Sequence, residues 1–146
     1  MHNTLWTRGR LGDYAYIKAR IGWRGLSASE YTQDGPYLIA GNHIHNESIN
    51  WTSCDHLSIH RYQESLEIAL REGDIILTKD GTIGRLAIIT DLPGLATING
   101  TMMLVRVRTP LQPRYVYHYL TGETFQRLVA DKVSGSSIPH IFQIDV

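Results

Sequence analysis

At 146 residues, 42% of them hydrophobic and 19% charged, the chain has the size and composition of one globular domain and is unlike a disordered, collagenous or fibrous protein. Fourteen Lys and Arg balance fourteen Asp and Glu, so the formal charge is zero, and a pI near 7.1 excludes a protein that coats DNA indiscriminately. Cys54 is the only cysteine, which excludes an intramolecular disulfide and any multi-cysteine zinc or iron–sulfur site and fits a reducing compartment.

Ala15, Ile17, Ala19 and Ile21 alternate with Tyr16, Lys18 and Arg20, the period of a strand with one buried face and one that meets solvent or a partner. Ser27 and Glu30 have capping-box spacing and predict a short helix around 28–32. Gly35-Pro36 ends it, and a short buried strand is expected at 37–40. Residues 42–55 are polar and aperiodic, and read as a loop with room for one short strand. Leu57, Tyr62, Leu66, Ala69 and Leu70 predict a helix over about 59–71, closed by Gly73. Ile75-Ile76-Leu77-Thr78 and Leu86-Ala87-Ile88-Ile89 are strand-like runs joined by a glycine-containing, mildly basic tip, and so form a hairpin. Another strand is expected at 102–107. Pro113 opens a helix that Gly122 interrupts and that continues to about Val133, before a Ser/Gly loop at 134–137. The class is therefore α+β: a twisted mixed or antiparallel sheet with hairpins, packed by a few helices, with a helical C-terminal third.

The search for catalytic chemistry yields little. His43-x-His45 and Cys54-x-His56-x-x-x-His60 bring imidazoles and a thiolate within ligand spacing but lack the paired motifs of a closed zinc site, so no metal is expected. Asp74 and Lys79 only approximate a nuclease carboxylate–lysine set. No Gly-x-Ser-x-Gly elbow and no Gly-Lys-Ser/Thr triplet occurs, so neither a hydrolase nor a nucleotide cofactor has support. Gly81-x-x-Gly84 reads first as a hairpin turn, whose other use is close backbone approach to a nucleic-acid phosphate. Scattered Arg and Lys, with loops of Asn, His, Ser and Gln, are compatible with phosphate contacts and base-edge reading.

The order of the pieces is more specific than any one of them. Gly73-Asp74-Ile75-Ile76-Leu77-Thr78-Lys79-Asp80-Gly81-Thr82-Ile83-Gly84-Arg85 resembles the hairpin signature of target recognition domains in specificity subunits of type I restriction-modification enzymes. Ile21-Gly22-Trp23, Ser29-Glu30-Tyr31 and Gly35-Pro36-Tyr37-Leu38-Ile39 are similar to that family's opening. Asn99-Gly100, Pro113-Arg114-Tyr115 and Ser134-Gly135-Ser136-Ser137-Ile138-Pro139-His140 follow in the family's order, so that the resemblance runs from about Leu11 to Val146. It implies a single, non-catalytic target recognition domain over 1–146 that binds one half of a split double-stranded DNA target. It also implies methyltransferase and restriction subunits as partners, docked through spacer helices that this sequence does not contain. The chain is thus expected to be part of a longer specificity subunit.

On this reading Lys79, Thr82, Gly84 and Arg85 of the hairpin, with Ser134, Gly135, Ser136 and Ser137, are expected at phosphates. Base reading is expected from Asn42, His43, His45 and Asn46, with Lys18 and Arg20 of the first strand. Charge is segregated, with a net +4 over 1–29, −6 over 30–80 and +2 over 81–146. The alternatives are a protein-interaction module that uses the acidic 30–80 segment and, more remotely, a metal-dependent nuclease. No apolar run reaches the ~18 residues of a membrane span, and Met1-His2-Asn3-Thr4 lacks the order of a signal peptide, so no membrane partner and a cytoplasmic location are expected.

Overall fold

The computed structural model describes residues 9–20, 26–79 and 84–132. Its largest sheet has four strands in the order β1 (Ala15–Ala19), β9 (Met102–Val107), β6 (Ile75–Thr78) and β7 (Leu86–Ile88), each antiparallel to its neighbours. The inner strands read as unbroken apolar runs because both faces of this sheet are covered. Ile75, Leu77, Met103, Val105 and Leu86 point to one layer, where α2 (Pro113–Thr121) and α3 (Glu123–Lys132) bring Val116, Tyr117, Leu120, Phe125 and Val129. Ile76, Leu104, Met102, Ala87 and Ile89 point to the other. Full burial of each such aliphatic side chain contributes roughly 1.5–3 kcal/mol before entropic costs.

The second layer is a smaller sheet, β5 (Asp55–His56), β2 (Thr32–Ile39) and β8 (Ala96–Ile98), in which β2 runs antiparallel to β5 and parallel to β8. A third element, the hairpin of β3 (Ile44–His45) and β4 (Ser48–Ile49), packs β4 against β7. The fold is thus α+β, built mainly from antiparallel strands with few helices.

Several expectations need correction. The 28–32 helix is only a 3-10 turn at Ala28–Glu30, and β2 begins at Thr32, before Gly35-Pro36; these two residues sit in the register shift between Thr32 and Tyr37. The 59–71 helix shrinks to α1 (Ile59–Gln63) and a 3-10 turn at Leu66–Ile68. Buried Ser65 leaves helical geometry at φ −136°, ψ 53°, and its hydroxyl accepts from Arg20. Helices α2 and α3 do flank Gly122, but the last third also contains β9, and residues 133–146 lie outside the described segments.

On the Tyr16, Lys18 and Arg20 face of β1, Lys18 is exposed, but Tyr16 and Arg20 do not meet solvent as a free outer face would. They turn toward the second layer, where the Tyr16 hydroxyl donates to Glu67 O at 2.7 Å and its ring lies under the Arg106 guanidinium at 5.3 Å. Arg106 in turn makes a two-pronged pair with buried Asp74, both bonds at 2.8 Å, and donates to Ala69 O. That pairing and its hydrogen bonds hold the Arg106 charge firmly and fix β9 to the start of β6.

Candidate nucleic-acid interface

The end of the molecule where β7 begins carries an open cleft of about 620 Å³. Three pieces of chain meet there: the β3–β4 turn with His45, Asn46 and Glu47, the base of the β6–β7 hairpin with Gly84 and Arg85, and the α2–α3 junction with Thr121 and Gln126.

Local chemistry sets each piece. In the β3–β4 turn, Asn46 and Glu47 both have positive φ, 51° and 69°, the arrangement of a two-residue type I′ hairpin. Ser48 Oγ closes it by donating to His45 O at 3.0 Å. At the hairpin base Gly84 has φ +88°, and a Cβ there would lie 3.1 Å from Gln126 Oε1, so glycine meets both a backbone and a packing requirement. Gln126 donates from one amide to both Gly84 O and Leu120 O, at 3.2 and 2.7 Å, tying the hairpin to the helix junction. Arg85 is exposed and crosses to the other loop, where Nη1 donates to Gly41 O at 3.0 Å. Gly41 lies so close to β6 that a Cβ would meet Thr78 Cγ2 at 2.6 Å.

Below the turn the Tyr117 side chain is buried, and its hydroxyl has no hydrogen-bond partner among the described residues. Burial first, and the Glu47 carboxylate second, push that hydroxyl up to about 12. Glu47 therefore stands within electrostatic reach of a permanent O–H donor, although the geometry falls short of a hydrogen bond.

The sequence-predicted residues divide in three. His45, Asn46 and Arg85 line the cleft and are exposed, while exposed Asn42 lies in the 3-10 turn Gly41–His43 that leads into β3, and half-buried Lys79 follows β6. Lys18 is exposed on β1, with Nζ over the Tyr16 ring at 5.6 Å, and does not line this cleft. Thr82, Ser134, Gly135, Ser136 and Ser137 lie outside the described residues.

Arg20, His43 and Gly84 are corrections. Arg20 is 6% exposed and donates to Ile98 O from Nε and Nη2, at 3.1 and 2.9 Å, with longer contacts to Thr97 and Ser65; it joins β1 to the second layer. His43 is 3% exposed and its Nδ1 accepts from Ala40 N–H at 2.9 Å, which leaves the proton on Nε2, 3.8 Å from Asp55. Burial lowers its pKa, against the opposing pull of Asp55 and with a smaller push from His45. Gly84 is buried and its N–H already donates to Thr78 O, so it has no backbone donor for a phosphate.

Sequence reasoning missed Glu47, Thr121 and Gln126. The turn signal expected of a hairpin is Asn-Gly, and Asn46-Glu47 does not carry it; the Gln126 contact spans 42 residues and has no local signature. Part of the acidity of 30–80 is engaged within the fold: Arg61 pairs with Glu30 and Glu64, and Arg106 with Asp74. Among the described residues no three His, Cys, Asp or Glu side chains converge as a metal site.

This architecture is similar to a stretch of two solved chains, an HsdS subunit and a chain from a type I R-M system. The HsdS subunit from Thermoanaerobacter tengcongensis superimposes with a TM-score of 0.61 at 19% identity. A chain from a structure concerned with complex assembly and conformational transition of the type I R-M system gives 0.62 at 17% identity. Each likeness covers 83% of this chain and 28% of the other, so the chain spans little more than a quarter of the length of these proteins. No protein-family model matches the sequence, and no curated protein matches it. Among the described residues no helix is long and apolar enough to cross a membrane.

Proposed function

We propose that the chain is a non-catalytic target recognition domain that reads one half of a split double-stranded DNA target for a type I restriction-modification complex. Methylation and cleavage then belong to partner subunits, with which this stretch works through spacer helices in the larger assembly.

The observation that carries the reading is the convergence of Arg85, His45 and Asn46 on one cleft, with Asn42 and Lys79 on the segments that lead into it. Arg85 and Lys79 supply cations suited to phosphates, and Asn42, His45 and Asn46 supply the mixed donors and acceptors that base edges require. The fold shared with HsdS-type chains supports the same assignment. Thr82 and the 134–137 segment remain proposed phosphate contacts, and Lys18 a more peripheral base-reading candidate.

Selection of bound sequences from a random duplex pool at moderate salt tests this. The proposal expects a short enriched motif, with each well-matched base contributing ~1–3 kcal/mol of discrimination. It expects Arg85→Ala to weaken all duplexes alike, to reduce the slope of log affinity against log salt by ~0.9, and to leave the motif unchanged. Recovery of random sequence from the wild-type chain would overturn it, and a new preferred base in Arg85→Ala would overturn the phosphate assignment.

A further inference from the structure

We infer that Glu47 is a specificity-determining residue whose carboxylate accepts a hydrogen bond from the N4 amino group of a cytosine in the major groove. The inference rests on the duplex-reading function proposed above and extends it to a residue outside the sequence-derived set.

Glu47 occupies the second central position of the type I′ turn at φ +69°, where glycine is the residue without steric cost. A bulky acidic side chain held in that conformation, at the tip of a hairpin, points from a local outlier to a use for the side chain. Its position indicates the use. Glu47 is exposed and lines the same cleft as His45, Asn46 and Arg85.

Electrostatics narrows the partner. A carboxylate repels phosphate oxygens, so beside a cation suited to the backbone its productive place is at a base edge. An ionised carboxylate only accepts hydrogen bonds. Guanine shows two acceptors in the major groove, thymine an acceptor and a methyl group, and adenine an acceptor next to its amino group; cytosine alone shows only a donor.

A purely structural role, in which Glu47 serves only Tyr117, is separable by experiment. Glu47→Gln replaces the acceptor-only carboxylate by a carboxamide, the donor–acceptor pair that matches adenine. Duplex-pool selection with the wild-type chain, Glu47→Gln and Glu47→Gly is therefore expected to show one cytosine position that becomes adenine in Glu47→Gln. In Glu47→Gly the same position should become degenerate, with about a tenfold loss of discrimination, while the other positions hold. Glu47→Gly should also raise the thermal midpoint, because glycine takes the positive φ freely, which shows that the loss is not one of folding. If both variants return the wild-type motif at wild-type stringency, Glu47 reads no base although the domain reads DNA. If the wild-type chain itself enriches nothing, the recognition function fails and this assignment fails with it.

Discussion

At the scale of single residues, the chemistry of a side chain and its role part company according to burial. His43 and His45 are two positions apart and equally eligible as base readers in the sequence, yet one is 3% exposed and the other faces the cleft. His43 acts as an acceptor for Ala40 N–H, a bond that exists only while the ring is neutral. Its pKa in the folded chain is lowered by burial, so the unfolded chain binds the proton more readily. The sign follows: the stability that His43 contributes is complete above the usual histidine value of 6.5 and is lost as pH falls below it, through the lower folded value. A thermal midpoint measured from pH 8 to 5 should therefore decline over that range. His43→Asn, which keeps a short neutral acceptor, should flatten the decline, and an unchanged profile would remove His43 as its source. Arg20 teaches the same lesson, since its alternation with Ile21 and Ala19 was legible but the layer covering its face was not.

At the scale of elements, the strands of the large sheet were legible because IILT, LAII and MMLV are apolar enough to be buried on both faces. Local capping signals were legible too, as Ser27 with Glu30 and Pro113 show. Features set by distant chain were not. The parallel pairing of β2 with β8, the break at Ser65 beneath Arg20 and the docking of Gln126 on Gly84 depend on partners dozens of residues away. The β6–β7 hairpin is the element on which the cleft depends most, and Gly84 is its point of contact with α3. Gly84→Ala would place a Cβ 3.1 Å from Gln126 Oε1 and 3.5 Å from Val129 Cγ1 at φ +88°, and should cost about 1–3 kcal/mol, measured by denaturant unfolding. A neutral result would show that the hairpin base yields without strain.

At the scale of the whole molecule, zero net charge sets the character of binding more than its existence. Positive charge is concentrated toward the N-terminal part and the C-terminal half, and three acids of the middle segment, Glu30, Glu64 and Asp74, are held by Arg61 and Arg106. Such a surface limits non-specific adhesion and gives modest, salt-sensitive affinity, suited to a domain that works beside larger partners. The central claim is that duplex DNA occupies the cleft between the β3–β4 turn, the β6–β7 hairpin and the α2–α3 junction. The most direct test is an amide chemical-shift titration of the chain with a short duplex at low salt, where phosphate contacts alone suffice for binding. The account predicts saturable shifts that cluster at residues 42–47, 84–86 and 121–126 and weaken as salt is raised; no shifts at all, or shifts centred on β2 and β5, would contradict it.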